Sequence, residues 1–185
     1  MEGPARVRIV GERCVVRAWQ LTDAAALVRH ANNLNVSMQL RDRFPHPYTI
    51  SAARAFLDHI VPARPVTNFA IEVGGESVGG IGFATGSDVE RFSAEIGYWL
   101  GEAFWGRGIA TEALSQVTEY AFAEMNILRL FALPFADNAA SARVLEKAGY
   151  VREGLLHSAS VKLGVPRDQL MYARINPRWE SPERS

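Results

Sequence analysis

The run Leu100-Gly101-Glu102-Ala103-Phe104-Trp105-Gly106-Arg107-Gly108-Ile109-Ala110-Thr111-Glu112-Ala113-Leu114 joins two segments whose apolar residues repeat with different periods. Upstream, Ser93 to Leu100 reads as a strand, so Glu95, Gly97 and Trp99 share one face while Ala94, Ile96, Tyr98 and Leu100 share the other. Downstream, Ile109, Ala113, Val117 and Ala121 recur every four residues and line one face of a helix predicted from about Gly108 to Met125. A strand that passes through glycines into a helix presents the unpaired N–H groups of the first helical turn together, with the positive end of the helix dipole behind them. Glycine at 106 and 108 and the small Ala110 let an anion reach the backbone without meeting a bulky side chain. The turn reads as an anion site; the bland alternative is a glycine-containing connection with no ligand.

The flanking segments bound the fold. Cys14 to Trp19 reads as a strand, followed by a helix capped by Thr22 with Asp23 in its first turn. Pro45 and Pro47 break the chain before a second helix, capped by Ser51 and running towards Pro62. Phe69 to Val73, the Gly74-Gly75 turn and Ser77 to Ala84 form a predicted hairpin. Leu128 to Leu133 is a near-continuous apolar strand of the kind buried on both faces. Asn138 opens a further helix that stops at Gly149 with Lys147 in its last turn, and strands over Val151–His157 and Gln169–Ile175 close the chain. The order is β-α-α-β-β-β-α-β-α-β-β. It predicts an α/β (α+β) fold, with a mixed, mostly antiparallel central sheet flanked by helices. The termini, Met1 to Gly11 and Pro177 to Ser185, read as loose. One domain over 1–185 with a core of about 13–176 is expected, since a chain of 185 residues buries on the order of 70% of its unfolded surface without needing staples.

Charge narrows the function. Twenty Lys and Arg against twenty Asp and Glu give a formal net charge of zero, which lacks the basic surplus that drives nucleic-acid or membrane-surface binding. The single cysteine, Cys14, forms no internal disulfide and builds no thiolate metal site, so a reducing, cytoplasmic setting is expected. His30, His46, His59 and His157 show no metal-ligand spacing, and no metal is expected. No apolar run is long enough to span a membrane, and the N-terminus lacks the pattern of a signal peptide.

Three phosphate loops can be told apart. Gly101 and Gly106 have the spacing of the nucleotide-hydrolase loop, but Arg107 and Gly108 stand where Lys and Ser/Thr are needed. The dinucleotide fingerprint fails at Thr111, where it requires a third glycine. What remains suits a pyrophosphate. Here Trp105-Gly106-Arg107-Gly108-Ile109-Ala110-Thr111-Glu112-Ala113 resembles the acetyl-coenzyme A loop of the GCN5-related N-acetyltransferases (GNAT), closest to the RimJ/RimL branch that acetylates ribosomal-protein N-termini. Trp105 departs from the Gln or Arg of the wider superfamily, so that contact is not carried over. The resemblance extends to Glu95-Ile96-Gly97-Tyr98-Trp99-Leu100, to Asn138-Ala139-Ala140-Ser141 and its helix through Lys147-Ala148-Gly149-Tyr150, to Glu153-Gly154-Leu155-Leu156, and to Gly164 through Tyr172. It covers about Val15 to Ile175 in order.

The resemblance implies the acyl-CoA N-acyltransferase fold, acetyl-CoA as cosubstrate and an amine as acceptor. It implies Leu100 as a backbone partner of the pantetheine arm, Arg107, Gly108, Ala110 and Thr111 as pyrophosphate partners, and Asn138 as a contact to the pantetheine or phosphate region. Acetyl transfer from a thioester to an amine needs a neutral amine, a place for the oxyanion and a proton for the departing thiolate. The resemblance makes Glu95 the general base; from pattern alone it is a solvated strand carboxylate. The tyrosine that many superfamily members use as acid falls at Leu145. Ser141 resembles the serine that RimL-type enzymes keep near the thiol, and serves equally well as a second helix cap. Arg107 is alternatively a solvated charge, and Trp19, Phe44, Tyr48 and Trp99 either line an acceptor cleft or belong to the core.

An α-amine, with pKa about 7.7–8.0, is roughly 10–15% neutral at pH 7, against less than about 0.1% for a lysine near 10.4. A protein or peptide N-terminus is therefore the favoured acceptor. The alternatives are a small amine (antibiotic, polyamine or metabolite) and a non-enzymatic acyl-CoA-binding module. Arg41 to Pro65 carries no readable acceptor motif, and a homodimer stays open.

Overall fold

The computed structural model describes residues 7–182. Strands β1 (Arg8–Val10), β2 (Val15–Ala18), β3 (Asn68–Val73), β4 (Glu76–Thr85), β5 (Ser93–Leu100), β6 (Arg129–Ala132), β7 (Val151–Lys162) and β8 (Val165–Ile175) form one sheet. Its order is β1-β2-β3-β4-β5-β6-β8-β7. Every neighbouring pair is antiparallel except β5 and β6. Helices α1 (Ala24–Ala31), α2 (Leu34–Ser37), α3 (Ile50–Ile60), α4 (Ile109–Glu124) and α5 (Ala139–Lys147) complete the fold.

Alternation along the strands divides the core in two. Phe69 and Ile71 of β3 join Val16, Ile81, Ile96, Leu130 and Tyr172 beneath Leu114, Val117 and Leu145 of α4 and α5. Ala70, between Phe69 and Ile71, points to the opposite face and packs with Trp19, Leu27, Tyr48 and Leu57 on the α1–α3 side. Trp19 and Tyr48 belong to that second cluster, and Phe44 and Trp99 pack against it; of the four, only Trp99 also lines the cavity described below.

The parallel contact is short, and this shapes everything downstream. Only Ser93, Ala94 and Glu95 pair with Arg129, Leu130 and Phe131; beyond Glu95 the two strands separate. On the other edge, Gly86 N–H donates to Ser93 O and Gly101 N–H donates to Val78 O, both at 2.8 Å. Odd-numbered residues of β5 therefore turn their backbone groups to β4, while the Ile96 carbonyl and the backbone groups of Tyr98 and Leu100 lie on the side of the gap.

Several expectations need correction. An additional strand, β1, occupies Arg8–Val10 in a segment read as loose; Met1 to Arg6 lie outside the described residues. The Glu112 carboxylate holds this turn by accepting from the backbone N–H groups of Glu12 and Arg13. Helix α2 was not expected; Asn33 caps it by accepting from Val36 N–H. Thr22 does not cap α1, because it lies in a 3-10 turn over Leu21–Asp23. Asp23 is instead buried against Arg17, two hydrogen bonds of 2.8 Å joining them. Thr49, rather than Ser51, caps α3. Strand β6 is buried on one face only: Leu130 and Ala132 enter the core, while Arg129 turns outward to Glu153 at 2.8 Å.

Strands β7 and β8 are longer than predicted. The polar stretch His157 to Ser160 hides their pairing, which is irregular between Leu156 and Ser160. At the C-terminal end, buried Asn176 donates to Ile127 O at 3.1 Å and Trp179 packs edge-on to Phe92, so the start of the predicted tail is pinned.

Candidate active site

The gap between β5 and β6 opens into a cavity of about 750 Å³. Residues 104–111 line one part of it, Met38 to Arg41 another, and the start of α5 a third. Glu95, Leu100, Arg107, Gly108, Ala110, Thr111, Asn138 and Ser141 all line this one space.

At the turn, Gly106 and Gly108 have φ of +74° and +78°, the left-handed region in which a side chain is strained. Trp105 N–H donates to Glu102 O, and Glu112 N–H donates to Gly108 O, both at 3.1 Å. Between them, among the described residues, the N–H groups from Gly106 to Thr111 have no partner within the chain. A row of free donors at the start of a 16-residue helix fits a diphosphate on geometry and on dipole. Arg107 lies with its guanidinium 5.4 Å from the Phe104 ring, and Phe104 in turn meets His30 edge-on. The strand–helix connection is also held by the start of α2. Glu102 accepts from Asn33 Nδ2 at 2.7 Å and Asn35 Nδ2 at 2.8 Å, and these bonds lower its pKa below the usual carboxylate range.

Two of these residues also have partners within the chain. The Leu100 carbonyl already accepts from the Trp105 indole N–H at 2.7 Å, which gives Trp105 a local role that the family pattern does not suggest. Asn138 Oδ1 accepts from Ser141 N–H at 3.0 Å, so it is the cap of α5, with Nδ2 left over for other contacts.

Glu95, about one-third exposed, pairs with Arg41. No motif marked Arg41; the pairing joins residues 54 positions apart. Ser141 Oγ does not cap the helix. It lies 2.8 Å from the hydroxyl oxygen of Tyr98, a residue that sequence reasoning passed over because it shares a strand face with Ile96 and Leu100. Burial raises the Tyr98 pKa well above that of an ordinary phenol. Leu145, where the superfamily tyrosine would stand, is fully buried in the core. Arg143 and Lys147 of α5 also line the cavity.

Among the described residues there is no cluster of His, Cys, Asp and Glu able to hold a metal ion, and no helix is long and apolar enough to cross a membrane.

The acetyltransferase (GNAT) domain model matches residues 13–151. The chain belongs to the GNAT acetyltransferase family. The expected enzyme class, an acetyl-CoA-dependent N-acetyltransferase, is the class of that family. Among its relatives, the uncharacterized N-acetyltransferase YoaA of Bacillus subtilis is 38% identical over 56% of this chain, a match that spans 58% of YoaA. The [ribosomal protein uS5]-alanine N-acetyltransferase of Escherichia coli is 28% identical over 94% of this chain and 93% of its own length. Mycobacterium smegmatis RimJ in complex with CoA-disulfide superposes with a TM-score of 0.78 at 27% identity, covering 88% of this chain and 81% of that one. The expected fold class and the RimJ/RimL-type resemblance agree with these matches.

Proposed function

We propose that this GNAT member is a cytoplasmic enzyme that transfers the acetyl group of acetyl-CoA to the N-terminal α-amine of a protein or peptide. One observation carries the reading: a row of free amides from Gly106 to Thr111 and the Glu95 carboxylate line the same cavity. The named activity of the E. coli relative and the coenzyme held by RimJ support it. When bound, acetyl-CoA supplies an activated acyl carbon.

The chain's own residues do the rest. The amides from Gly106 to Thr111, with Arg107 nearby, hold the diphosphate. The Ile96 carbonyl, both backbone groups of Tyr98 and the Leu100 N–H face the gap and offer hydrogen bonds to an amide-bearing arm, as an added strand would receive. The acceptor enters beside Met38 to Arg41. Glu95 takes a proton from the ammonium, directly or through water, after the incoming cation displaces Arg41. An α-amine suits one modest base because a substantial fraction is already neutral near pH 7. Ser141 donates a hydrogen bond toward the sulfur. Catalysis then rests mainly on holding amine and acyl carbon in attack geometry, an effect worth up to about 7–11 kcal/mol.

The test is a thermal-shift comparison of acetyl-CoA, ATP and NAD, followed by acetyl transfer to peptides and small amines. Acetyl-CoA at a hundred times its Kd is expected to add about 2.7 kcal/mol, or roughly 5–10 °C. Stabilisation by ATP or NAD alone would overturn the coenzyme assignment. Faster turnover of small amines than of peptides would overturn the acceptor, and binding without turnover of any amine would leave a coenzyme-binding module.

A further inference from the structure

Tyr98 and Ser141 are 43 residues apart in sequence, one on the strand edge that the splayed sheet leaves open and one in the first turn of α5. Both line the cavity. Their hydroxyl oxygens are 2.8 Å apart, and the Tyr98 hydroxyl also lies 3.2 Å from the Ser141 carbonyl oxygen.

Each hydroxyl has one proton, so two arrangements exist. If Ser141 donates to Tyr98 and Tyr98 donates to the Ser141 carbonyl, both protons are consumed inside the pair. If Tyr98 donates to Ser141 Oγ, the serine proton is free to point into the cavity. The second arrangement is favoured on three grounds. A phenol is a better donor than an alcohol, and an alcohol oxygen is the better acceptor. The Tyr98–Oγ distance is the shorter of the two. The Ser141 carbonyl, inside α5, is already positioned to accept from the N–H four residues on. Burial keeps Tyr98 protonated, so it remains a donor across the working pH range.

We propose that Tyr98 is the positioning residue that aims the Ser141 hydroxyl proton at the coenzyme sulfur, making the pair a hydrogen-bond donor to the leaving thiolate and not a proton source. The inference rests on the acetyl-CoA reading above. Once the amine nitrogen has bonded to the acyl carbon and shed a proton to solvent, the oxyanion re-forms its carbon–oxygen double bond, the carbon–sulfur bond breaks with its electron pair going to sulfur, and no proton leaves Ser141 or Tyr98. An alcohol is a far weaker acid than a thiol of pKa about 8.5, so transfer from serine would run uphill. A hydrogen bond is what this pair can give, and the thiolate takes its proton from solvent.

The experiment is calorimetric titration of CoA and of desulfo-CoA, which lacks the sulfur, into the full chain, Tyr98→Phe, Ser141→Ala and the double variant between pH 6 and 9. Wild type is expected to prefer CoA by about tenfold near pH 8.5, as a hydrogen bond to a charged acceptor would give. This preference should grow as pH rises, because a donor stabilises the ionised sulfur. Tyr98→Phe and Ser141→Ala should each abolish the preference while leaving desulfo-CoA affinity unchanged, and the double variant should lose no more than either single one. In turnover, kcat should fall without a change in KM for acetyl-CoA. A retained CoA preference in either variant, or an equal loss of both ligands, would overturn the proposal. Should Tyr98→Phe fail to fold, Tyr98→Leu, which also lacks the hydroxyl, is read in its place, and a CoA preference retained there would overturn the proposal. Failure of the coenzyme reading itself looks different: neither ligand would bind wild type.

Discussion

The indole N–H of Trp105 donates to the carbonyl oxygen of Leu100 at 2.7 Å, closing a loop that begins at the end of β5 and returns beside it. The bond sets where the chain turns towards Gly106 and α4, and so fixes the height at which the free amides stand over the cavity. Trp105 is nearly half exposed, so its contribution is to shape more than to burial. Trp105→Phe is expected to weaken acetyl-CoA binding by roughly three- to tenfold, the scale of one net hydrogen bond, with little change in Tm. Titration calorimetry beside a melting curve checks this.

Gly108 starts α4 at φ +78°, and a Cβ built there would sit 3.2 Å from Arg13 Nε. The arginine side chain can move, so the backbone conformation decides the outcome. Gly108→Ala is expected to cost about 1–2 kcal/mol, or a Tm lower by roughly 2–8 °C, and to weaken coenzyme binding as the turn relaxes. A Tm equal to wild type would show that the left-handed conformation is not required.

If Glu95 is the base, Glu95→Gln should lower kcat by about 10²–10⁴ and leave the Kd for acetyl-CoA unchanged. Stopped-time assays with a peptide acceptor, paired with coenzyme titration, separate the two. Unchanged turnover would remove Glu95 from the chemistry.

The Arg17–Asp23 pair tests stability apart from function. Both side chains are 7% exposed, and Glu72 also pairs with Arg17. Removing one partner leaves a buried charge short of its neighbour, which costs about 3–5 kcal/mol. Asp23→Ala should therefore lower Tm by roughly 10 °C without altering the coenzyme preference profile.

Glu102 supplies a pH signature. Its folded pKa is lowered by the Asn33 and Asn35 amides, so its contribution is fully present above the unfolded value of about 4.3 and is lost as pH falls through the lowered folded value. In urea titrations, wild type should exceed Glu102→Gln at pH 7, and the gap should close in acid. A gap that widened in acid would contradict the assignment.

The primary structure determined what depends on near neighbours. The alternation of Ser93–Leu100, the four-residue period from Ile109, and the glycines at 106 and 108 specify strand, turn and helix through φ, ψ and burial over a few residues, and with them the anion-binding turn. Thr22 and Ser51 misled because a cap is chosen among adjacent hydroxyls and carboxylates by what else competes for them; Asp23 was taken by Arg17. Tertiary structure alone decided the rest of the site. Tyr98 meets Ser141, Arg41 meets Glu95, and Glu102 meets Asn33 because β5 and β6 part after Glu95 and because helices from both faces close around that opening. Such pairs span tens of residues, and no local period encodes them: which side chains face each other across a splayed sheet depends on how far two strands diverge, and that is set by the packing of the whole core.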